Sequence, residues 1–347
     1  MAGATPKLIK ELREKSGAGM LDCKKALNEC EGNIEDSIKW LREQGLSKAA
    51  KKSANVAAEG LISILVNEDN TKATMTELNS QTDFVAKNEQ FINLTKQITA
   101  HAQANDLNDA EALVTSTIDG QNFATFLNEK IAVIGENLVA RKVSNVSGQV
   151  VNGYIHLGKV GVILAAKCDD AAKAKTTDLL KKIAMHAASM KPTVISYKDL
   201  SAEFIDSENK AIIADIEKEN EELVRLGKPL KNIPEFVSKQ QLTDEAVATA
   251  ENAMKEELLA QGKPEKIIGN IVKGKIARWI EDNSQLDRAN ALLSQTYVMD
   301  DSMTVEEAIK ACDASIELVE YVRFELGEGI EKKEEDFAAE VAAQMGQ

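Results

Sequence analysis

The sequence predicts an α+β protein in several segments: an N-terminal three-helix module, a core of two related α+β halves, and a charged region of helical hairpins. Three observations carry this. At 347 residues the chain exceeds what one domain usually holds. Its hydrophobic periodicity changes near Gly60 from helical spacing to alternation, and then strands and helices follow one another twice. Charge is also uneven: residues 1–53 carry 11 Lys and Arg against 8 Asp and Glu, a net +3, while the whole chain carries −14. The first fifty residues therefore read as a separate, mildly basic module.

Within that module, Thr5-Pro6 supplies a helix cap and first turn, and Leu8, Ile9 and Leu12 give the apolar stripe. Ser16-Gly17-Ala18-Gly19 breaks the helix. A second amphipathic segment carries Leu21, Ala26, Leu27 and Cys30. Gly32-Asn33 then turns and caps a third, with Ile34, Ile38, Trp40 and Leu41, which Gly45 is expected to close. The lysine-rich run Lys48–Lys52 reads as a solvated tether.

From Gly60 onward, Leu61–Val66, a turn at Glu68-Asp69-Asn70, and Ala73–Leu78 give a hairpin signal. Helical patterns follow from about Val85 to Ala104 and from Phe123 to Ile134. A second strand pair, Tyr154–Leu157 and Val160–Leu164, precedes a helix over Asp178–Ser189 that ends at Lys191-Pro192. Between Ser201 and Trp279 the chain is charged and helical, and Gly227-Lys228-Pro229 recurs as Gly262-Lys263-Pro264, 35 residues on. The echo predicts paired antiparallel helices joined at Gly-Lys-Pro turns. Beyond Tyr297, Thr304–Cys312 reads as helix, Glu320–Leu326 as strand, and Asp336–Met345 as a final helix with little apolar bulk.

Composition narrows function more by exclusion than by signal. A charge of −14 disfavours a broad phosphate-binding surface, so direct nucleic-acid binding is not expected. No run approaches the ~18 apolar residues of a membrane span, and the first residues lack a secretory core, so a cytoplasmic protein is expected. Cys23, Cys30, Cys168 and Cys312 are scattered without metal spacing and read as free thiols packed as small hydrophobes. There is no phosphate-binding glycine loop, no nucleophile elbow and no His/Cys cluster, so neither an enzyme nor a bound cofactor or metal is expected. His101 reads as a surface residue. His186, beside a methionine on its helix, reads as packed or facing a partner before it reads as a general base.

Two runs hold most of the information. In Glu77–Lys87, Thr82 and Asp83 fall at a strand-to-helix junction, where a hydroxyl or carboxylate caps free backbone amides. From residue types alone the favoured reading is a capped helix with Phe84 as an apolar staple. The alternative is an exposed aromatic and carboxylate at a rigid tip that wedges into another protein. The second run is Leu12–Leu27, whose glycine-rich turn joins two helices. Met20 at that turn is either core filler or a soft contact for a partner groove.

Together these runs resemble, in order and distance, the two signatures of the bacterial-type elongation factor Ts family. The resemblance continues through Ile134–Asn137, Ile183–His186, Tyr297–Met299 and Arg323–Lys332. It implies a ubiquitin-associated-like module (1–53), a core N-terminal subdomain (54–147), and a core C-terminal subdomain (148–205, completed by 281–330). It further implies a projecting helical dimerisation region (206–280) and a C-terminal helical module (331–347). The implied partner is elongation factor Tu in its GDP form, with a homodimer through the helical region as a further option.

By the same resemblance, Thr82, Asp83, Phe84 and Val85 form the exchange wedge, reaching near the partner's magnesium site and promoting GDP release. Met20 and Lys24 touch that same nucleotide domain, and Val160, Gly161, His186, Val298 and Met299 complete the partner surface. The factor itself holds no cofactor and acts on its partner's magnesium and GDP. The stretch from about Asp206 to Gln261 departs from the short members in length, so their dimer geometry is not carried over. Two other classes compete. A binding adaptor would tolerate loss of Asp83 and Phe84, and a hydrolase or transferase would need a nucleophile and base that the sequence does not pair.

Overall fold

In the computed structural model the described residues are 4–331, apart from the side chains of residues 46–51. The final helix expected over Asp336–Met345 lies outside them. The chain divides into two compact units, one comprising the described residues up to Ile163 and from Val322 onward, the other Leu164–Tyr321.

The first unit begins with α1 (Pro6–Ser16), α2 (Met20–Glu29) and α3 (Ile34–Lys52). Their termini follow the sequence signals. The Leu8 N–H donates to Thr5 Oγ1 at 3.3 Å, Gly17 ends α1 at φ +67°, and the Glu35 N–H donates to Asn33 Oδ1 at 2.9 Å. Leu12, Cys23, Ala26 and Leu27 form the small core, with Ile34, Ile38, Trp40 and Leu41 packed on it. Two expectations fail here. Leu21 lies off the buried face set by Cys23, Ala26 and Leu27, and it is 82% exposed. Nor does Gly45 end the third helix: α3 runs on to Lys52, so the expected tether is helical. A Cβ at Gly45 would stand 2.9 Å from Ala132 Cβ, so this glycine lets two helices approach closely and does not terminate one.

The same unit continues with β1 (Glu59–Val66), β2 (Lys72–Ser80), α4 (Asp83–Ala86), α5 (Glu89–Ala104) and α6 (Ala110–Thr115). It then runs through β3 (Thr117–Ile118), β4 (Gln121–Asn122), α7 (Phe123–Ile134), β5 (Val139–Ser147) and β6 (Val150–His156). β1, β2 and β5 form an antiparallel sheet in that order, with Leu61 opposite Leu78 and a register shift between Glu77 and Leu78 on β2. Phe91, Leu94 and Ile98 of α5, Phe123 and Phe126 of α7, Leu78 of β2 and Val143 of β5 share one core. The single helix expected from Val85 is two helices. Asn88 is extended (φ −74°, ψ 135°), and its Oδ1 accepts the Gln90 N–H at 2.8 Å, so a fresh cap starts α5.

β7 (Val160–Lys167) leads into the second unit, which contains α8 (Lys173–Met190), α9 (Ala202–Arg225), α10 (Asp244–Ala260) and α11 (Glu265–Asp282). Next in the chain are α12 (Gln285–Asn290), α13 (Val305–Cys312) and β8 (Glu317–Glu325). The second sheet has the order β6-β7-β8. The Gly-Lys-Pro echo is a repeated helix ending. Lys228 N–H donates to Leu223 O and Lys263 N–H to Leu258 O, beside Gly227 (φ +63°) and Gly262 (φ +72°), which is the six-to-one C-terminal motif.

The two copies of the motif lead into different structures. After Gly262, α11 packs back on α10 through Leu258, Ile268 and Val272. After Gly227 comes no helix, because Pro234 removes a donor five residues beyond Pro229. Asn220 holds this extended segment, accepting from Lys231 N–H at 2.7 Å and donating to Lys231 O at 2.9 Å. Only one of the two expected helix pairs therefore forms at a Gly-Lys-Pro turn. The described residues remain a mixed α+β fold with three N-terminal helices, antiparallel sheet and a helical region late in the chain.

A candidate protein-docking site

At the end of β2 the chain leaves the sheet at Ser80, and Thr82 caps the one-turn helix α4, its Oγ1 accepting from the Val85 N–H at 3.4 Å. Val85 and Ala86 point inward and join the core that contains Phe91 and Leu78. Phe84 points the other way and is 81% exposed. Phe84 is thus no staple, contrary to the favoured sequence reading. Leaving a phenylalanine in water forgoes about 1.5–3 kcal/mol of burial, and here the residues on its C-terminal side fix the turn from beneath. Lys87 Nζ donates to Asp83 Oδ2 at 2.6 Å, and this hydrogen bond holds the Asp83 carboxyl below its usual pKa, with Lys159 adding a smaller pull. The tip therefore presents a carboxylate beside an aromatic ring at neutral pH.

Met20 opens α2 and is 60% exposed, which removes core filler as its role. Lys24 is exposed one turn further on. Leu21 adds an apolar side chain that the sequence reading assigned to the core; its offset from the Cys23, Ala26, Leu27 spacing was the available signal. Val160 is half-buried and Gly161 is buried. A Cβ at Gly161 would stand 2.5 Å from Met75 Sδ and 2.6 Å from Ile62 Cγ2, so this glycine is required for packing beneath β7.

In the second unit His186 is fully buried, so it is a packed histidine and presents no ring to solvent. Its Nδ1 accepts the Val298 N–H at 3.2 Å, which leaves the ring proton on Nε2, donated to Gln295 Oε1 at 3.0 Å. Gln295 is itself oriented by donating to Ala289 O at 3.0 Å. His186 thereby fixes the backbone at Val298 and Met299, whose side chains are exposed. Burial, partly offset by the Gln295 bond, lowers its pKa.

The pH dependence follows from that direction. The unfolded state takes up a proton near pH 6.5 while the folded state resists until lower pH, so stability is full above that value and is lost as pH falls below it. Thermal unfolding of the chain between about pH 7.5 and about pH 5.5 should show a falling Tm, and His186→Gln should flatten that fall. An equal slope in the variant would contradict the assignment.

One residue that sequence reasoning left without a role stands under the tip. Glu136 follows Gly135, which ends α7 at φ +88°, and its carboxylate reaches the backbone of Gln81 and Thr82. His101, expected at the surface, is half-buried and stacks on Phe123 at 6.5 Å. Cys23 and Cys168 are buried and all four cysteines are free. Among the described residues no group of His, Cys, Asp and Glu stands where it could hold a metal, and no helix is long and apolar enough to cross a membrane.

Phe84, Met20 and Val298 hold apolar side chains outward on anchored supports, a feature of the class of proteins that dock on other proteins. Comparison with known proteins gives the class its family. The family model described as Elongation factor TS matches residues 81–328. The chain is 68% identical over 347 residues to Elongation factor Ts of Aliarcobacter butzleri, covering all of both proteins. It is 53% identical to that of Campylobacter fetus, over 97% of this chain and 98% of the relative, and 49% identical to that of Helicobacter hepaticus, over 99% and 100%. The chain belongs to the elongation factor Ts family. It is accordingly a nucleotide-exchange factor for elongation factor Tu in polypeptide elongation, and not an enzyme. The alignments with the Aliarcobacter and Helicobacter relatives span 100% and 99% of the chain.

Proposed function

We propose that this chain releases GDP from elongation factor Tu by pressing Asp83 and Phe84 against the partner's nucleotide domain near its magnesium site. The observation that carries this reading is the outward Phe84 on a turn whose next two residues are locked in the core. A nucleotide's affinity resides largely in magnesium and the amides around its phosphates, so disturbing the ion's surroundings speeds release without contact to the base. Thr82 and Val85 set the tip. Met20 and Lys24 on the three-helix module, which we read as ubiquitin-associated-like, engage the same domain. Val160, Gly161, Val298 and Met299 hold a distal part of the partner, with His186 acting through Val298. The place of action is the cytoplasm, where elongation runs.

Linkage makes the reading testable. If the factor weakens nucleotide binding, nucleotide must weaken factor binding by the same ratio. A complex of the chain with nucleotide-free elongation factor Tu should co-elute in gel filtration and come apart when GDP and magnesium are added. Persistence of the complex in excess GDP would contradict exchange and favour a plain adaptor. Exposed Val224, Leu226, Leu230 and Leu259 in the helical region support self-association of two copies there. Sedimentation that gives a monomer at every concentration would discard that part.

A further inference from the structure

We propose that Glu136 is the positioning residue of the exchange tip, clamping its base so that Asp83 and Phe84 reach the partner in one fixed orientation. The inference rests on the wedge reading above and concerns a residue that this reading leaves unused.

The geometry is specific. Glu136 Oε2 accepts two backbone donors, Gln81 N–H at 3.1 Å and Thr82 N–H at 3.0 Å, while Oε1 accepts the Thr82 hydroxyl at 2.6 Å. One carboxylate thus accepts three hydrogen bonds from Gln81 and Thr82, the two residues that precede Asp83 and Phe84. Bonds to an ionised acceptor are roughly twice as strong as neutral ones. Because the Thr82 hydroxyl proton goes to Glu136, the Thr82 oxygen is turned to accept the Val85 N–H, so one clamp orients both the entry and the cap of α4.

Glu136 is in turn held from both sides. Its predecessor Gly135 adopts the left-handed conformation that ends α7 and accepts a hydrogen bond at its carbonyl from Lys52 Nζ at the end of α3. Its successor Asn137 is buried and donates to Asn55 O at 2.8 Å. The segment 135–137 therefore ties the last residue of α3, the end of α7 and the base of the tip into one bracket.

A four-residue helix has no stability of its own, and a tip that must displace a neighbouring protein's ion environment loses force if it can swing. Misplacement by about 1 Å costs such a site on the order of 100-fold. Core anchorage by Val85 and Ala86 fixes the tip on its C-terminal side, and Glu136 fixes it on the other.

The test compares GDP release from elongation factor Tu for wild-type chain, Glu136→Ala, Glu136→Gln, Thr82→Val and the Asp83→Ala/Phe84→Ala pair, each over a range of factor concentration. Glu136→Ala should lower the maximal release rate by about tenfold or more and change affinity for the nucleotide-free partner by less than about threefold. Glu136→Gln keeps an acceptor for the two amides and should recover most of that rate. Thr82→Val attacks the clamp from the other side and should slow release in the same way, which keeps the proposal testable should Glu136→Ala fold poorly. Added to the Asp83/Phe84 pair, Glu136→Ala should cost little more, because its effect passes through the tip.

Wild-type maximal rate in both Glu136→Ala and Thr82→Val would overturn the proposal. So would an equal proportional loss with and without the tip, which marks general destabilisation. If the Asp83/Phe84 pair itself leaves exchange intact, the wedge reading fails; if only the clamp variants are silent, the clamp alone fails.

Discussion

Replacing Asp83 and Phe84 together with alanine is expected to slow factor-stimulated GDP release by about 10- to 100-fold while the fold persists. Phe84 is 81% exposed, so Phe84→Ala alone should shift unfolding by no more than about 0.5 kcal/mol. Asp83 loses an exposed partner, Lys87, and no core contact. Thr82 still caps Val85, and Ala86 stays in the core, so the turn survives the change. A tip that is structurally dispensable and functionally decisive is the signature of a contact residue. Phe84→Leu should recover part of the rate, because an apolar side chain remains at the tip. If the double variant is as active as wild type, the exchange surface lies elsewhere.

The largest effect on stability is expected from Glu77→Ala, which should cost about 3 kcal/mol because it leaves an opposing charge unpaired. Glu77 is fully buried on β2. Its Oε1 accepts from Arg141 Nη1 at 2.9 Å and from the Gly327 N–H at 2.9 Å, so one carboxylate joins β5 to the segment after β8. Lys142 reinforces the junction through Glu328 at 3.0 Å and lies over the Phe324 ring at 5.4 Å. Gly327 fits there only without a side chain, since a Cβ would stand 2.6 Å from Ala58 O. Glu77→Gln keeps an acceptor for Gly327 and loses the ion pair, so it should fall between wild type and alanine. Urea unfolding followed by circular dichroism measures both, and an unchanged midpoint in Glu77→Ala would refute the account of this junction.

Local chemistry was readable in advance where it acts within a few residues. Caps at Thr5, Asn33 and Thr82 stood where hydroxyl or amide side chains precede an apolar period, and the β1–β2 hairpin followed from alternation around Asn70. β5 escaped because its buried residues, Ala140, Val143 and Val146, recur every third position, which does not read as the alternation of a strand; only the first of these two steps spans the register shift opposite Glu77 and Leu78. The Gly-Lys-Pro echo was real but coded only a helix ending; whether a second helix came after it depended on Pro234.

The Thr82–Val85 run stood out in the sequence, yet the outward direction of Phe84 did not, because it is decided by Val85 and Ala86 reaching residues distant in the chain. Glu77 and Glu136 lay inside runs that stood out, Glu77–Lys87 and Ile134–Asn137, yet nothing in either run pointed to what the carboxylate holds. Each is a single carboxylate whose partners lie more than 50 residues away in sequence.

The central claim is that this chain accelerates nucleotide release from elongation factor Tu. Its most direct test is release of fluorescent GDP from the purified partner, followed in stopped flow with the chain at substoichiometric amounts and excess unlabelled GDP as chase. The account predicts a release rate that rises with chain concentration and carries through several turnovers per factor molecule. Release at the spontaneous rate, from a chain shown by circular dichroism to be folded, would contradict it.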